Sequence, residues 1–544
     1  MTAGSPARSH AQQNHPQNHD RGFQFVPGTL VVSRTVYEGK ASTITVGETL
    51  PLGCQGGLTG LTVNVPTTTS GTTTPVVVPC GVASDNGEYP NLFDSHNVWN
   101  NANTDPSFGV TSPIFLDDIT TDGREVGSLP IPTDRIVTSF SSKSELALNR
   151  SIDGHSITFM GYVGGIGCGG STASPTAPSL LDVSASNTPG VCDPTNPVIT
   201  TFISNPVVPA AYYRAVAEVG VDGDLSVTDG NAYSGDNGRA AIKGGDGLYY
   251  MVGNDNSGDL SKKQMSTTYD GIDLTNATGA ELLYPGLTAP VPPNVEMIGR
   301  LEFGTDKPGK DTNFRGLTIF NNTLYVSKGS GSNGVNTVYQ AGTAGTLPTG
   351  SAADLATVPL TILPGFPNTA ASVNTAFPFG IWFADANTLY VCDEGDGVLV
   401  SPAVNGNVAD TQSQQTAGLQ KYRLINGTWV LQYTLQDGLN IGVPYGVKKY
   451  PSSLNPATGG CRNIAGQNNF DGTVTIFAIT STISSNGDTG ADPNKLVKIT
   501  DRISDTTLPS GDGYLGHFST IRSAEAGEVL RGVALAPEDG RFGW

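Results

Sequence analysis

One phrase recurs along this chain: a bulky residue, a Gly, an apolar run, a tight turn, then Leu-Tyr-Val. It reads Asn313-Phe-Arg315-Gly316-Leu-Thr-Ile-Phe-Asn-Asn-Thr-Leu324-Tyr325-Val326, and it returns from Pro378-Phe379-Gly380 to Leu389-Tyr390-Val391. An earlier copy runs from Gly238-Arg239-Ala240 to Leu248-Tyr249-Tyr250-Met251. Each copy is two apolar stretches about a turn of Asn, Asp and Gly, the pattern of a β-hairpin. Self-similarity of this kind decides the architecture, because each unit buries its faces only against its neighbours. The expected fold is all-β, a single β-propeller. A pair of β-sandwiches is the alternative, and it leaves the recurring Gly without a cause.

The markers stand at Arg239, Arg315, Phe379, Tyr445 (in Tyr445-Gly446) and Arg531. A minimal four-stranded blade takes roughly 40–50 residues, so the wider intervals leave room for long loops. A further unit surrounds Glu145, with its leading Gly absent. Leu530-Arg531-Gly532-Val begins a unit that the C-terminus does not finish, and a strand at Leu30 can complete it. Closure by strands from both termini removes free sheet edges. The count is six blades, with seven left open by the long stretch between 145 and 239. Residues 1–22 read as a disordered tail without the apolar core of a signal peptide. Residues 23–544 form the propeller, with a disulfide-stapled insertion at about 40–110.

Charge narrows the partners. With 29 Lys+Arg against 48 Asp+Glu the net charge is −19, opposite to the basic footprint that nucleic acid requires. No apolar run is long enough to span a membrane. The six cysteines show no zinc-like clustering. Spacing suggests Cys54–Cys80, Cys168–Cys192 and Cys392–Cys461 as pairs, with other pairings and buried free thiols left open. Sequons occur at Asn149, Asn276, Asn321 and Asn426, which mark a glycoprotein if a eukaryote secretes the chain.

The residue before the marker Gly faces one end of the central funnel, since the first strand of each blade lines the axis. Arg239, Arg315 and Arg531, with Phe379 and Tyr445, therefore encircle one opening. Guanidiniums beside aromatics suit a carboxylate or uronic acid; equally, each Arg can pair with a neighbouring blade and merely hold the ring. The loop holding His96 and Trp99 offers a general base and an aromatic contact. Oxygen-rich turns at Asp393–Asp396 and Asn254–Asp259 offer ligands for Ca²⁺, although Asp-Gly turns are ordinary hairpin chemistry. The Gly-Ser run at 329–332 lacks the Lys of a P-loop, and no nucleotide or redox cofactor is expected.

The Arg/Phe-Gly phrase with Asn-Thr-Leu-Tyr-Val resembles, at the level of the blade, the secreted propellers of the gluconolactonase-like, NHL-repeat and streptogramin-lyase-like superfamily. The resemblance covers about residues 23–544. It implies a central divalent metal held by Glu, Asn and Asp, for which Glu145, Asn313 and Asp393 are the candidates here. Two functions are expected. One is an extracellular lyase or hydrolase acting on an anionic saccharide, lactone or ester, with His96 or Tyr445 moving a proton. In it Arg315, Arg239 and Arg531 hold the anion, and Phe379 and Trp99 line the site. The other is a non-catalytic, monomeric propeller that binds a glycan or protein on its rim; fold alone does not choose between them.

Overall fold

In the computed structural model the described residues are 22–37, 111–163, 214–253, 280–283, 295–301, 313–397, 416–483 and 490–539, apart from short breaks, with strand backbones also at 49–50, 61–66, 73–78, 81–84 and 100–101. The tail, most of the insertion at 40–110, and the proposed pairs Cys54–Cys80 and Cys168–Cys192 lie outside them.

Six sheets succeed one another in chain order. Sheet I pairs the C-terminal strand Glu528–Leu535 with the N-terminal strand Leu30–Val36, then adds Ile114–Ile119 and Glu125–Pro130. Sheet II runs Asn149–Arg150, Ser156–Val163, Arg214–Gly220, Leu225–Gly230, with Ile136–Ser139 and Thr111–Ser112 added beside its second strand. Sheet III is Gly238–Lys243, Tyr249–Gly253, Ala280–Leu283 and Val295–Met297. Sheet IV is Phe314–Phe320, Thr323–Lys328, Thr337–Ala341 and Pro359–Ile362, edged by Arg300–Leu301. Sheet V is Pro378–Asp385, Thr388–Asp393, Gly418–Ile425 and Thr428–Leu435. Sheet VI is Ala457–Asn468, Thr473–Ile483, Lys495–Arg502 and Ser519–Ser523.

An apolar cluster fills every gap between successive sheets. Met160 and Val216 of II meet Ala241, Tyr249 and Met251 of III. Ile242 and Tyr250 then meet Leu317, Leu324 and Tyr339 of IV. Val338 meets Ile381, Leu389 and Val391 of V, and Tyr390 and Leu419 meet Ile464 and Ile476 of VI. Ala465 and Phe477 meet Leu30 and Leu530 of I, while Val31 and Leu116 meet Ile157 and Ala217 of II. Period-2 alternation sends neighbouring residues of Leu-Tyr-Val to opposite gaps, which is why the phrase needs apolar residues on both faces. The chain is a β-propeller.

Five sheets start from a full inner strand; sheet II starts from the two-residue strand Asn149–Arg150, so among the described residues the ring has five full blades and one reduced unit, against an expected six. The reduction falls where the marker Gly is missing. One expectation is corrected at Tyr445. It does not open a blade: the inner strand of sheet VI is Ala457–Asn468, and Tyr445 lies in the loop before it. Disulfide Cys392–Cys461 joins sheets V and VI as expected. Among the described residues no helix is long and apolar enough to cross a membrane.

Candidate functional site

The inner strands share one local device. The ladder of each full blade slips at the marker: Arg239 lies between the pairs Gly238↔Gly253 and Ala240↔Val252, and Arg315 between Phe314↔Lys328 and Gly316↔Ser327. Arg531 is skipped in the same way opposite Ser33 and Arg34. Phe379-Gly380 and Arg462-Asn463 occupy the corresponding shifts in sheets V and VI. A β-bulge leaves one residue outside the ladder and re-aims its side chain. Here it turns each marker from the hairpin towards the adjoining blade. The marker that the sequence pattern misses is Arg462, because Asn463 replaces the Gly and Thr-Val-Thr replaces Leu-Tyr-Val. The run Cys461-Arg-Asn-Ile-Ala-Gly before the Asn-Asn-Phe-Asp-Gly turn is the available signal.

The Gly after the marker faces the next inner strand. A Cβ on Gly532 would stand 2.5 Å from both Leu146 O and Leu148 N, and one on Gly316 would stand 3.1 Å from the Phe379 carbonyl carbon. One on Gly380 would meet Ile464 N at 3.0 Å. Hydroxyls seal the same seams: Ser33 donates to Leu146 O at 2.8 Å, Ser327 to Phe379 O, and Thr158 to Ala241 O at 2.7 Å. Leu146, left-handed at φ 61, thus takes the marker place in sheet II. Below this collar the axis narrows to a cavity of about 10 Å³ lined by Ala147, Asn149, Ala240, Gly316, Gly380 and Asn463, room for a single water.

The four arginines are buried, with exposures of 4% (Arg239), 2% (Arg315), 8% (Arg462) and 5% (Arg531). Arg239 donates to Asn313 Oδ1 and, at 2.6 Å, to Phe314 O of the next blade. Arg531 donates to Phe140 O and Ser142 O, ahead of sheet II. Arg315 donates to Gly329 O at 2.7 Å and stands 4.0 Å from Glu394 Oε1, while Arg462 Nε reaches Glu394 Oε2 at 3.1 Å. The Arg315 guanidinium also lies 6.0 Å from the Phe379 ring centroid. Carbonyl oxygens orient a guanidinium, and the Glu394 carboxylate in addition offsets charge.

The other described candidates are each held by hydrogen bonds within the protein. Glu145 accepts from Thr138 at 3.0 Å and from the Tyr162 hydroxyl, in sheet II. Asn313 is occupied by Arg239 in the approach to sheet IV. Asp393, in sheet V, accepts from Gly395 N at 2.9 Å and Gln420 Nε2 at 3.0 Å, and burial pushes its carboxyl up to about 7. The three expected metal ligands sit at three different sheets, each with protein partners of its own; among the described residues no group of three His, Cys, Asp or Glu is placed to hold a metal. Tyr445 donates to Pro493 O at 2.8 Å, its hydroxyl held above the usual tyrosine range by burial and by Asp492. His96 and Trp99 lie outside the described residues. Of the sequons, Asn321 and Asn426 sit at exposed hairpin tips, whereas Asn149 Nδ2 donates to Ala241 O at 3.0 Å within the ring.

No family model matches the chain, and no curated protein matches it. Solved structures similar to it include a putative oxidoreductase (glucose dehydrogenase) from Thermus thermophilus, at 13% identity over 67% of this chain and 87% of that one, with a TM-score of 0.28. A PQQ-bound aldose sugar dehydrogenase from Streptomyces coelicolor aligns at 12% identity over 71% and 91%, with a TM-score of 0.31. The hemagglutinin-neuraminidase ectodomain of parainfluenza virus 5 aligns at 9% identity over 78% and 76%, with a TM-score of 0.29. At these scores the likenesses carry no argument about chemistry, and the fold stands on the sheets themselves.

Proposed function

We propose that this chain is a secreted recognition propeller that binds a carboxylate-bearing saccharide at the arginine end of its axis. The observation that carries the reading is the set of four buried guanidiniums at equivalent bulges, with Glu394 shared between two of them. Guanidiniums are the groups that pair best with a carboxylate, and Glu394 already stands between two of them. The narrow axis beneath stops a ligand from passing through. Binding is favoured over hydrolysis or elimination because the same guanidiniums already tie blade to blade. The disulfide fits an oxidising compartment outside the cytosol.

The test is titration calorimetry with a uronic-acid oligosaccharide and its uncharged counterpart at two salt concentrations. Preferential binding of the acidic sugar, weakening with salt, is the expected result. Equal affinity for both sugars refutes the reading. Conversion of the bound sugar to product would return the lyase or hydrolase reading in its place.

A further inference from the structure

A cavity of about 250 Å³ lies at the outer edge of sheet IV, lined by Thr361 to Phe366 and Asn368. The outer strand Pro359–Ile362 sets Thr361 against Gln340 and Ile362 against Tyr339. Gly342 N donates to Pro359 O at 2.8 Å, and Leu363 N donates to Val338 O at 3.0 Å. Pro359, Thr361 and Leu363 therefore turn their peptide groups towards the neighbouring strand, and the alternation of an antiparallel ladder turns those of Leu360 and Ile362 outward. The outward edge at Pro359–Leu360 is taken by the parallel strand Arg300–Leu301.

Beyond Ile362 the chain reverses. Phe366 N donates to Leu363 O at 3.0 Å, and Pro364 before Gly365, at φ 97, has the signature of a type II turn. The turn is fixed to sheet V: Pro364 O receives Trp429 N at 2.8 Å, and the Phe366 ring stacks on Tyr422 with 4.4 Å between centroids. Between these two fixed ends the N–H and C=O of Ile362 open towards the cavity. Leu363, Pro364 and Phe366 give it an apolar wall, and Asn368 adds an amide.

We propose that this cavity binds an extended peptide segment, one residue of which bridges Ile362 through paired main-chain hydrogen bonds. A strand edge offers its N–H and C=O to the C=O and N–H of another extended chain, and this edge already takes one strand at Pro359–Leu360. A peptide residue carries donor and acceptor at the strand spacing that meets both groups of Ile362. Pairing is confined to that one residue, because Arg300–Leu301 holds the edge on one side and the bond from Trp429 to Pro364 holds it on the other. The anchored turn makes the site preformed, so little ordering is lost on binding. The site is separate from the buried arginines, and either reading can fail alone.

The experiment is a ligand-observed NMR titration of the full chain with acetyl-Ala-Leu-Ala-amide and with the same peptide N-methylated at its Leu. N-methylation removes the donor to Ile362 O and should weaken binding about tenfold, the cost of one unmatched hydrogen bond. Ile362→Pro removes the N–H that Ile362 donates and leaves the inward bonds of Thr361 and Leu363 in place. With folding verified by its melting curve, it should weaken the parent peptide by a similar factor. Saturable binding of the parent peptide with both losses is the expected result. Absence of saturable binding, equal binding of the N-methylated peptide, or unchanged affinity in a folded Ile362→Pro chain each overturns the proposal. Should Ile362→Pro fail to fold, the comparison of the two peptides decides alone.

Discussion

The sharpest test of the seam is Gly380→Ala. Gly380 is not in the left-handed region, so the substitution asks nothing unusual of its backbone. The added Cβ instead meets main chain, with Ile464 N at 3.0 Å, Asn463 Cα at 3.2 Å and the Arg462 oxygen closer still. None of these is the end of a flexible side chain, so relief requires the inner strands of V and VI to part by about 1 Å. Overpacking of this kind costs ~1–3 kcal/mol, and disulfide Cys392–Cys461 across the same seam favours the upper end. Against this stands a gain of ~0.4–1 kcal/mol from the stiffer unfolded chain. The net expectation is a loss of about 2 kcal/mol. Gly245→Ala is the control, since its Cβ meets nothing within 4 Å, and it should gain ~0.4–1 kcal/mol. Urea unfolding midpoints of the two variants should therefore differ by roughly 3 kcal/mol when read with a common slope. In a background lacking the disulfide the seam opens more freely, so the cost at Gly380 should fall by about 1 kcal/mol. The cost of Gly316→Ala, at the IV–V seam, should not change. A Gly380→Ala chain as stable as Gly245→Ala would refute the close approach on which the repeat is explained.

Replacing Cys392 and Cys461 by Ser opens a loop with a sequence separation of 69 and should cost about 4 kcal/mol on the chain-entropy estimate, read from the shift in urea midpoint. Asp393 is held protonated by burial up to about 7, so the folded state binds its proton more tightly than the unfolded chain does. Its stabilising contribution is complete below about pH 4 and is lost as pH rises through about 7, a change of at most ~4 kcal/mol; Asp393→Asn should flatten that slope in melts from pH 4 to 8. Arg462→Met leaves Glu394 with Arg315 at 4.0 Å and should cost ~3–5 kcal/mol, while adding Glu394→Gln should recover part of it in a double-mutant cycle. Phe379→Arg brings another cation beside Arg315, now 6.0 Å from the ring, and should lower the melting temperature at low salt and less so at high salt.

The ring was legible because hairpin pattern, turn chemistry and closure are local or terminal properties. Leu324-Tyr325-Val326 and Leu389-Tyr390-Val391 announce second strands, and Leu530 to Leu535 pairs with Leu30 as its apolar pattern demands. The inner strand of sheet VI escapes a reading of the sequence because it is rich in Gly and Asn, residues that propensity assigns to loops. The glycines are tolerated there because neighbouring side chains leave no room for larger residues: a Cβ on Gly466 would collide with the Trp382 ring, and one on Gly459 would press on Ile483 at 3.0 Å. Tyr445-Gly446 imitates the marker, yet Val447-Lys-Lys lacks the apolar run that a strand needs. The carbonyl partners of the arginines were invisible for a different reason. Phe140 O, Ser142 O and Gly329 O are backbone atoms in loops, and no residue type advertises a carbonyl.

The alternation of Arg and Phe at the marker follows from how the guanidiniums are shared. Arg239 and Arg531 reach forward to loops entering the next blade, and Arg315 reaches forward to Glu394 of sheet V. Arg462 reaches back to that same carboxylate. Sheet V is therefore gripped from both sides through one acid, and an arginine at its own marker would find that acid already engaged. An apolar ring suffices there, and Phe379 supplies one that also meets the Arg315 guanidinium. In sheet VI the Gly is dispensable for a related reason. Asn463 takes its place and uses its amide to receive Val533 N at 2.6 Å and to donate to Leu148 O at 3.3 Å, so it ties sheet VI to both I and II across the axis. The marker position is thus written by the demands of closing a ring, and the charge it gathers at one end is a consequence that a ligand can exploit. Chemistry specific to one substrate must then come from loops free of the closure constraint.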